Sequence, residues 1–282
     1  MKKFALHFVA ILGALSSIAT LISFTLDKEI TGGESVWVPI CVGIGILTIS
    51  VLYALYQSHP KKSVELDITP NLKLTIQQAN LLNQKGIIVI GFNEYFDTHV
   101  GDGIVSEKTL HGIFINTYFK DHLSDLDRAI KESLMRQNIQ PIQQNCPRRH
   151  PAGKTDKYEL GTCALVHDGG KKYILVALTH FDQYDKAFLT RAEFNDVFGK
   201  LMSFIETHAQ DTPVHMPILG TGLARLNRLE SRMLHFIIDS LDFLHAKPVV
   251  GGLFIDILSL KKAKVNLNDV EEHFKNGIKE TT

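Results

Sequence analysis

The sequence predicts an α/β protein, in which a mixed sheet flanked by helices is preceded by a hairpin of two apolar helices. Short apolar runs alternate with helical patterns over residues 67–282. This alternation favours a mixed or mainly parallel sheet with helices on both faces. Two long apolar runs occupy most of residues 1–58. The chain therefore divides into an N-terminal helical part and one large α/β domain.

The two apolar runs cover about residues 4–26 and 36–57 and contain no Asp, Glu, Lys or Arg. An α-helix needs ~20 residues to cross a hydrocarbon core of ~30 Å. Both runs meet that length, so residues 1–58 are expected to form a transmembrane hairpin.

Positive charge flanks this hairpin at both outer ends. Lys2 and Lys3 precede the first span, and Lys61 and Lys62 follow the second, whereas the connecting residues 27–35 are mostly acidic where they are charged. By the positive-inside tendency, both outer ends face the cytoplasm. The expected location is the cell inner membrane, as a multi-pass protein with two spans and a cytoplasmic C-terminal domain.

A short polar linker, residues 59–66, is expected to lead into the domain of residues 67–282. Strands are predicted at 72–76 and in the β-branched run 86–92. Residues 161–178 predict a hairpin around an Asp-Gly-Gly turn.

Helices alternate with these strands. A helix can begin after Ser106, whose side chain is a possible cap. Residues 125–138, 191–206 and 226–241 carry apolar side chains at helical spacing, and the last two are followed by the strand-like runs "VHMPIL" and "VVGGLFIDIL".

Composition excludes several classes of function. Lys and Arg balance Asp and Glu, 30 against 30, so no basic surface indicates a nucleic-acid partner. The three cysteines show no disulfide or C-x-x-C pattern, and the histidines lack the spacing of metal ligands. No metal site is predicted.

Two loops at predicted strand ends carry the groups that can bind a ligand. After the run 86–92 come Asn93, Glu94 and Asp97, followed by hydroxyls and a histidine at Ser106, Thr109 and His111. Ligands in open α/β sheets bind beyond the carboxyl ends of strands.

The second loop reads "PILGTGLARL", with Gly220, Thr221 and Gly222 between a strand and a helix. Glycines at such a junction let backbone N–H groups approach an anion, and the helix dipole favours negative charge. The "GDGIVSEKT" stretch lacks the glycine that a P-loop has before its lysine, and no G-x-G-x-x-G follows a strand. No redox cofactor is therefore expected.

The stretches "FNEYFDTHVGDGIVSEKTLHG", "KYELGTCALV" and "PILGTGLARL" together resemble a divergent macro domain. With two apolar helices in front, the chain resembles the transmembrane–macro domain effectors of type II Thoeris antiphage defence. The fold that this resemblance implies is a macro-domain-like mixed sheet.

The resemblance also implies a function. Macro domains bind ADP-ribose-like ligands, and in such a system a TIR-domain enzyme makes the signal histidine–ADP-ribose. A protein of this kind binds the signal, forms a homo-oligomer and disrupts the cell membrane, so the bilayer is an expected partner. Carried over by position, the resemblance implies these ligand-binding residues: Asn80, Asn93, Glu94, Asp97, Leu219, Gly220, Thr221, Gly222 and Leu223. Ser106, Thr109 and His111 join them as candidates from the first loop, and Arg225 as a candidate that follows the second.

Some of these assignments have alternatives. Asn80 matches a position where many macro domains carry an aspartate for the adenine, and Asp67 is a competing match. The first loop lacks the glycine run of hydrolytic macro domains, so we expect binding without turnover, no catalytic residue and no cofactor. A membrane-tethered ADP-ribosyl hydrolase, with Asn93 orienting water and Asp97 or Asp102 as base, is the alternative, together with an ADP-ribose-binding scaffold.

Overall fold

The computed structural model describes residues 2–25, 37–57, 59–70, 72–182, 184, 186–221, 230–244 and 249–281. The chain divides into two compact units, Met1–Lys61 and Lys62–Thr282.

The first unit contains two helices that contact each other, α1 (Lys2–Thr25) and α2 (Trp37–Gln57). Several of their large apolar side chains are exposed, among them Leu6 and Val9 in α1 and Leu52 in α2.

The prediction of two membrane spans is wrong. In the described ranges, no helix combines the length with the sustained apolar character that a bilayer crossing requires. This finding overturns the two-span inner-membrane location.

The second unit is built on one sheet. Its strands are β1 (Ser63–Thr69), β2 (Leu72–Gln78), β3 (Ile87–Asn93), β4 (Cys163–Asp168), β5 (Lys171–Phe181), β6 (Ala187–Phe188), β7 (Val214–Met216) and β8 (Leu253–Ile257). Their order is β1-β2-β8-β7-β3-β5-β4, with β6 paired to β5. The five central strands are parallel, whereas β1 and β4 pair antiparallel with their neighbours. The predicted mixed sheet is confirmed.

Helices cover both faces of this sheet. They are α3 (Leu110–Tyr118), α4 (Leu123–Arg136), α5 (Arg191–His208), α6 (Glu230–Phe243), α7 (Leu260–Ala263) and α8 (Leu267–Thr281). One apolar core joins α3 and α4 to the sheet and includes Phe114 and Ile130. The other core lies under the remaining helices and includes Phe194, Ile237 and Val270. The prediction of flanking helices is confirmed as well.

Local sequence explains most of the element ends. The hairpin between β4 and β5 turns at Gly169 and Gly170, whose φ angles of 52° and 80° suit glycine. The cap of α3 is Thr109 and not Ser106, because the Thr109 hydroxyl accepts from the amide of Gly112. In the stretch 59–66, which the sequence suggests is a linker, β1 begins at Ser63.

The parallel central strands end at one edge of the sheet. β3, β5 and β7 are neighbours there, and the chain leaves each of them into a loop. Side chains and amides of these loops therefore converge, as the general rule for open α/β sheets predicts.

Candidate functional site

A cavity of about 210 Å³ lies where the chain leaves β3, β5 and β7. It is mostly apolar, and the side chains that line it carry no formal charge in the described part of the chain. The lining residues are Gly91, Phe92, Asn93, Ile104, Val105, Ser106, Thr109, Leu110, His111, Leu178, Thr179, Phe181, Ala187, Pro217, Ile218, Leu219, Gly220 and Thr221.

The first turn of α3 forms one wall. The Thr109 hydroxyl accepts from the Gly112 amide and donates to the Ser106 carbonyl oxygen, which orients the start of the helix. The amides of Leu110 and His111 find no acceptor among the described residues. Free N–H groups at a helix N-terminus favour an anion.

His111 stands on this turn with one ring nitrogen occupied. Its Nε2 lies 2.9 Å from the Asp97 carbonyl oxygen, and its ring packs on Phe92 with 3.6 Å between ring centroids. Burial lowers the pKa of His111 to about 3; the charge of Lys154 acts in the same direction, and the bond to Asp97 opposes it. The imidazole is therefore neutral at physiological pH.

The bend after β7 forms the facing wall. Gly220 has a φ of +79°, in the left-handed region that favours glycine. The Thr221 hydroxyl donates to the Ile218 carbonyl oxygen at 2.8 Å, and Leu219 is buried beneath the bend. Leu219, Gly220 and Thr221 all line the cavity.

Asn93 lines the cavity, but most of its amide is occupied. Its Oδ1 accepts from the amides of Tyr95 and Asp97, and its Nδ2 donates to the Asp97 carboxylate at 2.9 Å. One N–H of Nδ2 remains, so Asn93 can offer a ligand a donor but not its oxygen.

Asp97 lies behind the wall and does not line the cavity. Its carboxylate accepts from Arg148 at 2.8 Å and from the Lys154 amide at 2.8 Å, in addition to Asn93. The side chains of Arg148 and Asp97 are 4% and 1% exposed. The pair is thus a buried support for Asn93 and, through the Asp97 carbonyl oxygen, for His111.

Glu94 is fully buried and also lies outside the cavity lining. Its carboxylate accepts from His180 Nδ1 at 2.5 Å and from the Phe181 amide at 3.0 Å, and it pairs with Lys157 at 3.1 Å. Glu94 therefore holds β5 and the loop before β4 against the end of β3.

Arg148 supports the wall of the cavity, and the sequence interpretation missed it. It is 51 residues from Asp97 in the chain and lies in an irregular loop without periodicity. Its guanidinium carbon lies 4.1 Å from the centroid of the Tyr95 ring and 5.7 Å from that of Phe181. Gly153 permits this position, since a Cβ there would come within 3.0 Å of the guanidinium carbon. No local signal could have identified it.

The structure brings seven of the thirteen predicted ligand-binding residues to the cavity: Asn93, Ser106, Thr109, His111, Leu219, Gly220 and Thr221. Glu94 and Asp97 lie behind it. Asn80 is exposed after β2 and caps a 3₁₀ turn, because its Oδ1 accepts from the Leu82 amide. Gly222, Leu223 and Arg225 lie outside the described residues.

The alternatives are placed elsewhere. Asp67 lies on the edge strand β1, where it is near Lys73. Asp102 is exposed and 2.8 Å from His99, whose hydrogen bond lowers the pKa of that carboxyl group. Neither residue lines the cavity.

Comparisons with known proteins agree with this architecture. A family model described as "Thoeris protein ThsA, Macro domain" matches residues 74–250. The Thoeris protein ThsA of Bacillus amyloliquefaciens is 28% identical over 281 residues, which cover 93% of this chain and 86% of that protein.

Two solved structures share the fold. The Oceanobacillus iheyensis macrodomain with ADP superimposes with a TM-score of 0.51 at 10% identity, covering 78% of this chain and 100% of that one. A variant of the same macrodomain with ADPR gives a TM-score of 0.50 at 9% identity, covering 76% and 99%. At these identities the likeness establishes the macro fold.

Proposed function

This chain belongs to the Thoeris ThsA macro-domain family, and on that premise we propose that it binds an ADP-ribose-derived signal in antiphage defence. The observation that carries the proposal is the cavity, which is lined both by the first turn of α3 and by the glycine bend. The proposed ligand is histidine–ADP-ribose or a close relative, produced by a TIR-domain enzyme.

The cavity offers neutral groups to the diphosphate. The amides of Leu110 and His111 have no acceptor among the described residues, and both residues line the cavity together with Gly220 and Thr221. Aligned amides and a helix N-terminus bind phosphate without a cationic side chain. The apolar side chains of the lining, such as Phe181 and Ile218, suit the rings of a nucleotide.

The groups around the cavity favour binding over hydrolysis. A general base needs a free lone pair and a pKa near the working pH. The carboxylates of Glu94 and Asp97 are held by ion pairs and amides, and the Asn93 oxygen accepts two amides. With a pKa of about 3, His111 is too weak a base at neutral pH. We propose a sensor that keeps its signal intact.

The response that we propose is self-association. The helices α1 and α2 expose large apolar side chains such as Leu6, Val9, Ile44 and Leu52. Exposed apolar side chains in such number are typical of a protein–protein contact, and a second copy supplies the same side chains. Sedimentation of the full chain with and without ADP-ribose tests this step, and an unchanged mass would contradict it.

Calorimetry on the full chain tests the binding step. We expect ADP-ribose and ADP to bind, and ribose 5-phosphate to bind far more weakly because it lacks the diphosphate and the base. Incubated ADP-ribosylated protein should release no ADP-ribose, whereas release would favour the hydrolase. An absence of binding by every adenosine diphosphate compound would reject the proposal.

A further inference from the structure

His111 is the single titratable side chain among the described residues of the cavity lining. Its bond to Asp97 determines its tautomer. A carbonyl oxygen only accepts, so Nε2 must carry the proton that is shared with Asp97 at 2.9 Å. In the neutral ring, Nδ1 then has a lone pair and no proton.

This lone pair is open to the cavity. Nδ1 has no hydrogen-bond partner in the described part of the chain. Among the described residues, it does not belong to the fully buried polar atoms that lack a partner. It must therefore be accessible, and the space that His111 borders is the cavity. Burial and the charge of Lys154 lower the pKa of the ring, and they outweigh the bond to the Asp97 main chain, which raises it.

The support of the ring is rigid. Phe92 packs against one side, and the Asp97 carbonyl oxygen belongs to a residue whose carboxylate is held by Arg148 and by the Lys154 amide. An acceptor that is held in one place favours a ligand with a hydrogen-bond donor at that place and repels an anionic oxygen there.

The position of the acceptor identifies that donor. The amides of Leu110 and His111 belong to the same helical turn as the ring, and they face the diphosphate under the proposed function. In ADP-ribose each phosphate is joined through one carbon to a ribose. The group next to the diphosphate is then a ribose, whose hydroxyls are donors.

We propose that His111 is a specificity-determining residue that accepts a hydrogen bond at Nδ1 from a ribose hydroxyl of the bound nucleotide. The proposal rests on the proposed function, since it concerns the ligand of the same cavity. Under this proposal, the first turn of α3 binds the phosphates through its amides and a sugar hydroxyl through His111.

A matched pair of variants separates this role from structural support. The Oδ1 of asparagine can occupy the place of Nδ1, whereas the amide of glutamine can reach the place of Nε2 and bond to Asp97. We expect His111→Gln to weaken ADP-ribose binding about tenfold, as the loss of one good hydrogen bond does, and His111→Asn to lose much less. His167→Asn, on an exposed residue of β4, is the control for histidine replacement.

Deoxy analogues of ADP-ribose identify the hydroxyl. Each analogue lacks one ribose hydroxyl, and calorimetry compares its affinity for the unmodified chain and for His111→Gln. For the hydroxyl that His111 reads, the two losses should not add, because either change removes the same bond. Additive losses for all analogues would overturn the proposal.

A ligand-free measurement completes the test. Nitrogen-15 NMR of the imidazole should show the Nε2–H tautomer at pH 7, and a protonated ring or the other tautomer would overturn the inference. If the unmodified chain binds no ADP-ribose, the proposed function fails together with this inference. If it binds and His111→Gln retains the affinity while His111→Asn loses it, the role of His111 alone fails.

Discussion

Two segments approach the same cavity with opposite kinds of groups. The segment after β3 carries the carboxylates of Glu94 and Asp97, both buried and both paired with the long loop before β4. The bend between Pro217 and Thr221 carries no charge, and it offers a glycine, a hydroxyl and apolar side chains. The bend lines the cavity along its length, whereas neither carboxylate does.

The contrast separates two roles: charged side chains support the wall of the cavity, and neutral groups form its surface. A buried carboxylate is stable only when cations and amides surround it, and a carboxylate on the wall would repel a diphosphate. Here the charges hold the wall in place from behind, and the wall itself is neutral. Polar residues near a strand end are therefore not all ligands.

Removing the Arg148–Asp97 ion pair should have the largest effect, and the effect is on stability. Arg148→Met leaves the Asp97 carboxylate buried without its cation, and we expect the free energy of unfolding to fall by about 3–5 kcal/mol. Urea denaturation measures this loss. Arg128→Met is the control, because Arg128 forms an exposed pair with Asp125, and that change should cost less than about 1 kcal/mol. Equal losses would contradict the role of the Arg148 pair.

Changing the neutral wall should affect binding more than stability. Gly220 and Gly170 have φ angles of 79° and 80°, so replacing either by alanine imposes the same backbone strain, about 1–2 kcal/mol. Gly170 lies in the turn between β4 and β5, outside the cavity lining. We expect Gly220→Ala alone to weaken ADP-ribose binding, at least about tenfold in calorimetry. If Gly170→Ala weakens binding as much, the loss comes from general destabilisation.

The pH dependence of stability should report the neutral state of His111. The pKa of His111 is about 3 in the folded chain and about 6.5 in the unfolded chain. Between these two values the unfolded state binds a proton at His111 and the folded state does not. The free energy of unfolding is therefore unaffected by protonation of His111 above pH 6.5, and it falls as the pH decreases toward 3. Since the ring is partly exposed, we expect a loss of about 1 kcal/mol between pH 6.5 and 5.

His111→Gln lacks this titration and serves as the reference. Denaturation curves of both chains at several pH values isolate the contribution of the imidazole, because all other groups titrate in both. Parallel pH profiles would show that the pKa of His111 is the same in the folded and unfolded chain, which would contradict the lowered pKa.

The smallest effect is expected from Asp102. The residue is exposed, interacts with His99, and stays outside the lining of the cavity. We expect Asp102→Asn to change the affinity for ADP-ribose by less than about twofold, as surface substitutions away from a site do. Calorimetry under the same conditions as for Gly220→Ala gives the comparison. A strong loss would place Asp102 in the site and extend the cavity toward it.

Much of the fold could be predicted from local sequence. Ile87–Asn93 is apolar and β-branched, and it forms a buried central strand. The Asp-Gly-Gly turn forms the predicted hairpin between β4 and β5. Such predictions succeed because burial of a strand or helix imposes a periodicity on neighbouring residues.

The candidate site could be predicted only in part. The "LGT" bend and the residues Ser106, Thr109 and His111 reach the cavity, as their places after strands suggest. Glu94 was expected to bind ligand, but its partner His180 is 86 residues away in the chain, and no local pattern reveals that contact. The length of the two apolar runs and the positive charge that flanks them predict membrane spans, but the described helices do not meet the requirement for crossing a membrane.

The sequence by itself determined the order of strands and helices, the glycine bend after β7 and the neutral charge balance, because each depends on residues close together in the chain. Only the tertiary structure decided which polar residues face the cavity and which support it from behind. That choice depends on Arg148, Lys157 and His180, which distant segments bring to the carboxylates after β3.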